Sequence, residues 1–146
     1  MTADPFDLAR FVTAQAGVFD QAVDELRAGR KRTHWMWFIF PQLRGLGHSP
    51  TAQHYGISSL GEASAYIEHP VLGPRLEAAV AAVQASGAVD PLALFGSPDD
   101  LKFCSSLTLF TVAVPDGPYR AALERCCGGK HDQRTLDLLR AGGEVG

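Results

Sequence analysis

The chain has little cysteine, no long apolar run and no marked excess of charge of either sign. Its three cysteines, Cys104, Cys126 and Cys127, are odd in number, two are adjacent, and none sits in a C-x-x-C or in a Cys/His run with zinc spacing. No disulfide framework is expected, and the reading is of a reduced, cytoplasmic protein. The five histidines, His34, His48, His54, His69 and His131, form no H-x-x-x-H pair, so no metal site is expected. No stretch approaches the roughly 18 apolar residues of a membrane span, and Asp4 and Asp7 stand where a secretory leader carries bases. Thirteen basic against sixteen acidic side chains give a net charge of -3, which draws the protein to neither phosphate backbones nor anionic lipid. Neither nucleic acid nor membrane is therefore an expected partner. The G-x-S-x-G elbow, the P-loop ending and a complete dinucleotide fingerprint are all absent, so no cofactor is expected. No feature assigns an oligomeric state.

What remains is a chain of 146 residues with 46% hydrophobic and 20% charged residues, the size and composition of one folded domain. Its apolar pattern is helical. Asp4-Pro5-x-Asp7 reads as a helix start before Leu8, Phe11 and Val12, and a second helix carries Phe19, Ala22, Val23 and Leu26 on one face, stopped by Gly29. The run His34-Trp35-Met36-Trp37-Phe38-Ile39-Phe40 fits a buried strand or a buried helical turn, and Pro41 ends either one. Thr51 is the expected cap of a short turn reaching Tyr55, and Ser59-x-x-Glu62 has capping-box spacing. Longer helices are predicted from Val71 to Ser86 and from Ser97-Pro98-Asp99-Asp100 to Val114. The second of these is apolar nearly all round and is the expected buried centre. Short helices over about 118–127 and 132–140 close the chain, with 142–146 as a frayed tail. The prediction is an all-α single domain over 1–146, with seven to eight short and medium helices around one buried central helix.

Two segments carry chemistry-bearing residues. In the first, Gly45-Leu46-Gly47-His48-Ser49 follows the aromatic run and has the look of an anion loop, yet Pro50 stands where a third small residue belongs. The favoured reading of these glycines is a tight turn between packed aromatics. Trp35 or Trp37 has the flat surface to stack on a ligand, with His34 and Gln42 at its edge, but aromatic runs also serve cores. In the second segment, Asp99, Lys102, Ser105 and Ser106 fall within about 120° on one helix face. They form either a polar pocket floor or a set of local pairs, Lys102 with Asp99 and the serines with backbone carbonyls. Tyr55, Glu62 and Tyr66 are further pocket candidates. Arg30-Lys31-Arg32 with Arg44 is a small basic cluster and the sole foothold for a nucleic acid.

The W-M-W-F-I-F-P-Q string of residues 35–42 and the K-x-x-S-S-x-T-L-F string of 102–110, with Tyr55-Gly56-Ile57 and His69-Pro70, resemble the family called domain of unknown function 1810. That resemblance covers nearly the whole chain and implies a small, mainly α-helical bacterial protein without an established activity. A fainter similarity runs to the NADAR domains, associated with ADP-ribose and N-glycosidic chemistry. It implies a pocket built from an E-H-Y-like triplet, here Gln53-His54-Tyr55, and a helical lysine, here Lys102. Gln53 replaces the acid, and a neutral amide is no general base, so Glu62 or Asp99 would have to steer water in any hydrolysis.

Two functions follow. One is a pocket for a nucleotide-sugar or ADP-ribose-like ligand which, in a catalytic version, acts on an N-glycosidic bond with Lys102 stabilising negative charge. The other is a non-catalytic interaction or scaffold module whose motifs serve packing only. They differ on one geometric point, which is whether residues 34–47 and 99–106 converge on a cleft.

Overall fold

Capping and proline set the helix boundaries in the computed structural model, which describes residues 4–142. In chain order the described helices are α1 (Ala9–Gln15), α2 (Phe19–Arg27), α3 (Met36–Ile39), α4 (Pro50–His54), α5 (Leu60–Glu68), α6 (Leu72–Ala85), α7 (Pro91–Phe95), α8 (Asp99–Ala113), α9 (Tyr119–Cys127) and α10 (Gln133–Ala141). The Asp4 carboxylate accepts the amides of Leu8 and Ala9 at 2.8 and 3.0 Å ahead of α1, and Asp132 accepts the Thr135 amide at 3.0 Å to start α10. Ser59 caps α5 through the Glu62 amide at 3.1 Å. Two expected caps move. Ser49, not Thr51, caps α4, accepting from Ala52, because Pro50 occupies the first helical position, where a missing N–H costs nothing. Pro98, not Ser97, stands at the cap of α8 with no side-chain bond.

The chain is all-α, with ten described helices rather than seven or eight, because α3, α4 and α7 are separate elements of about one turn. The aromatic run is helical, not a strand. A helical turn sends Trp35 and Ile39 inward together, as well as Met36 and Phe40, and leaves Trp37 and Phe38 half-buried at the margin. A single parallel bridge, Leu43 to Ile57, ties the loop after α3 to the end of α4.

Helix α8 is the centre of the fold, touching α3, α5, α7, α9 and α10. Phe103, Leu107, Leu109 and Phe110 are fully buried on it. Phe103 meets Phe40 at 5.0 Å and Phe95 at 4.6 Å between ring centroids, with Trp35 beyond them. One face departs from expectation: Leu101 is 66% exposed, so α8 is apolar all round only past its first turn.

The cysteine reading is corrected. Cys104 on α8 and Cys127 on α9 are joined in a disulfide across 23 residues, with 6.1 Å between their Cα atoms, while Cys126 remains a buried free thiol. The pairing comes from the packing of α8 on α9, which no spacing in the sequence announces. Within α9 the 100° step turns Cys126 into the core and Cys127 toward α8. No described helix is long and apolar enough to cross a membrane. Of the expected frayed tail, Gly142 follows α10 as its C-cap, and 143–146 lie outside the described residues.

A candidate cleft between Trp37 and Lys102

The two motif segments meet. Asp99 and Lys102 stand one turn apart at the start of α8, and the Lys102 ammonium lies 3.5 Å from the Asp99 carboxylate and 5.1 Å from the centroid of the Trp37 ring. The other Asp99 oxygen holds Lys31 at 2.9 Å, and Lys31 in turn lies 5.2 Å over Trp35. A single carboxylate thus bridges two lysines, each stacked on a tryptophan of the aromatic run. Beside them lies a cleft lined by Met36, Trp37, Phe40, Gln42, Ala52, Tyr55, Gly56 and Lys102. Its volume is about 10 Å³, room for a single water.

Of the sequence candidates, Trp37, Gln42, Tyr55 and Lys102 line this cleft, and Asp99 holds its lysine. Gly47 borders it, and the missing Cβ lets Ala52 approach, since a Cβ there would come within 2.8 Å of the alanine methyl. Ser106 lies one helical turn beyond Lys102 on the same face, and its buried hydroxyl has no partner among the described residues. Ser105 instead donates to the Leu101 carbonyl at 3.0 Å.

Other candidates are placed elsewhere, and their roles are corrected. Trp35 is wholly buried, and its indole N–H donates to Glu25 at 3.1 Å, so it presents no face to a ligand. Glu62 is buried with both oxygens engaged, one by Arg10 at 2.7 Å, the other by the Ser58 amide and hydroxyl at 2.9 and 2.7 Å. It fastens α1 to α5 and aims nothing at the cleft. His34 is exposed outside the cleft, and Gly45 is exposed near Leu138. Of Gln53-His54-Tyr55, only Tyr55 reaches the cleft, because Gln53 turns back to the His48 carbonyl at 3.0 Å. Tyr66 is buried in the core, where burial pushes its hydroxyl pKa up despite a hydrogen bond from Gln15.

Sequence reasoning passed over Lys31, Glu25 and Arg10. Lys31 was visible only as part of a basic run, and nothing in the sequence marks it as the second cation on Asp99. Glu25 accepts the Arg32 amide, the Thr33 amide and hydroxyl, and the Trp35 indole. Burial opposes its ionisation, but these donors prevail and hold its pKa down to about 2.

The architecture is that of a small all-α protein, with one central helix and a cationic edge on an aromatic cleft. The chain belongs to the family described as protein of unknown function (DUF1810), whose sequence profile matches residues 5–139. It is 56% identical to the conserved hypothetical protein Rv1873 from Mycobacterium tuberculosis, whose crystal structure it matches with a TM-score of 0.91 over 94% of this chain and 99% of that one. No curated protein matches it.

Proposed function

We propose that this protein binds, without hydrolysing, a small anionic ligand with a flat ring, of the nucleotide-sugar or ADP-ribose class, at the mouth of the Trp37–Lys102 cleft. The observation that carries the reading is the ammonium of Lys102 seated over the half-exposed Trp37 ring. A base can take the place of the ammonium on the indole while Lys102 moves to a phosphate, with Gln42 and Tyr55 at the rim and the free Ser106 hydroxyl behind. Turnover finds no support here, because Glu62 and Asp99, the two acids available to steer a water, are both held by cations.

The ligand must open the cleft, since about 10 Å³ is far below the roughly 300 Å³ of ordinary ligand sites. That closure favours the second reading, a module whose motifs serve packing alone. Thermal unfolding with ADP-ribose, NAD and nucleotide sugars separates the two. At a hundredfold excess over Kd, binding stabilises by about 2.7 kcal/mol, a rise of roughly 5–10 °C in Tm. Trp37→Ala and Lys102→Ala should each abolish the rise while remaining folded. No shift with any of these ligands at millimolar concentration leaves the packing module as the function.

A further inference from the structure

The disulfide does not lie in the core. Cys104 and Cys127 are half-buried and line an open depression of about 360 Å³ with Asp100, Lys130, His131 and Asp132, on a different part of α8 from the Lys102 cleft. Two features mark this depression as more than a crosslink. One oxygen of Asp100, a helical turn before Cys104, is buried without a hydrogen-bond partner among the described residues. Lys130 is exposed and enters no ion pair among the described residues, and its amide bonds the Cys127 carbonyl at 3.1 Å, which puts it on the Cys127 side. The depression thus carries Asp100 one helical turn before Cys104 and Lys130 three residues beyond Cys127.

We propose that Cys104–Cys127 is a thiol–disulfide exchange site that takes a small thiol bearing carboxylates, forming a mixed disulfide on Cys104. The incoming thiolate sulfur bonds to Cys104 Sγ, the Cys104–Cys127 bond breaks, and its electron pair leaves on Cys127 Sγ. A second thiolate attacks the ligand's sulfur, displacing the Cys104 thiolate and releasing the oxidised thiol, so two electrons pass from two thiols to the protein. Leaving is favoured at Cys127 because Lys130, three residues on, stabilises a thiolate there, while Asp100 disfavours one at Cys104. The α9 C-terminus opposes this by about half a charge, against the full charge of Lys130, and the Asp132 carboxylate in the same lining is turned to the Thr135 amide and hydroxyl. The same lysine attracts the carboxylates of the ligand. Cys126 also borders the depression but is buried, its thiol lies 3.9 Å from the Ala88 carbonyl, and burial pushes its pKa up, which keeps it a poor competitor.

Protein purified without reductant is incubated with reduced glutathione or with uncharged 2-mercaptoethanol, quenched with acid, alkylated and mass-mapped, its fold followed by circular dichroism. The expected result is reduction of Cys104–Cys127 in the folded protein. In Cys127→Ser treated with oxidised glutathione, one adduct accumulates on Cys104. Lys130→Ala should slow both reactions, because the leaving thiolate loses its cation, and should slow the glutathione reaction on the order of fivefold more than the mercaptoethanol reaction, the loss expected for one charge facing the ligand's carboxylates. If Cys127→Ser does not fold, the wild-type and Lys130→Ala rates decide alone. A disulfide reduced only after unfolding, Cys104 and Cys127 found as thiols before any reductant is added, no adduct on Cys104 in folded Cys127→Ser, an adduct on Cys126, or equal slowing with both thiols overturns the proposal.

Discussion

A carboxylate that collects four hydrogen bonds holds its surroundings only while it is ionised. Glu25 gathers the amides of Arg32 and Thr33, the Thr33 hydroxyl and the Trp35 indole, and so sets the aromatic run against α2. Its pKa falls from 4.5 to about 2 on folding, so the unfolded chain binds the proton more readily. The resulting stability is complete above about pH 4.5 and disappears as pH falls toward 2, a difference of about 3 kcal/mol. Urea midpoints measured across that range should fall steeply for the native chain and stay nearly flat for Glu25→Gln. At Glu62 the expected outcome separates structure from binding. Glu62→Gln leaves Arg10 a buried, unpaired charge and should cost on the order of 3–5 kcal/mol by urea unfolding, with ligand affinity unchanged. A loss of affinity without loss of stability would return Glu62 to the ligand site. The sequence named Lys102, Trp37, Gln42 and Tyr55, which line the cleft, and also Trp35 and Glu62, which the structure places in buried contacts away from it. Both are types that serve a core or a site equally well, and only burial and partners distinguish the two uses.

At the scale of elements, start signals in the sequence placed α1, α5 and α10, where Asp4, Ser59 and Asp132 accept first-turn amides, and apolar spacing alone placed α2, α6 and α9, which have no side-chain cap. The aromatic run stayed ambiguous between strand and helical turn, since six consecutive apolar residues fit either period, and its contact with Phe95 and Phe103 settles it. The crossing of α5 and α6 depends on a glycine that spacing does not reveal. A Cβ on Gly73 would overlap the carbonyl oxygen of Ile67, which as backbone cannot turn aside. Gly73→Ala should therefore lower stability by about 2–4 kcal/mol in chemical unfolding, although alanine is the better helix former. A neutral or stabilising result would mean that the two helices can separate without loss.

For the whole molecule, the bond between α8 and α9 closes a loop of 23 residues and restricts the unfolded chain. Cys104→Ser with Cys127→Ser should lower unfolding free energy by about 3 kcal/mol on the chain-entropy argument, read by urea titration against the oxidised parent. Composition, helical periodicity and capping determined from the sequence alone that this is an all-α domain centred on one long helix, because those properties reside in neighbouring residues. The motif strings also determined the family. Tertiary structure alone decided that Asp99 joins Lys31 to Lys102, that Trp35 belongs to the core and Trp37 to the cleft, and that Cys104 finds Cys127. Each of these depends on which helix faces are brought together, and the free energy that brings them together is spread over the whole buried core rather than written in any local pattern.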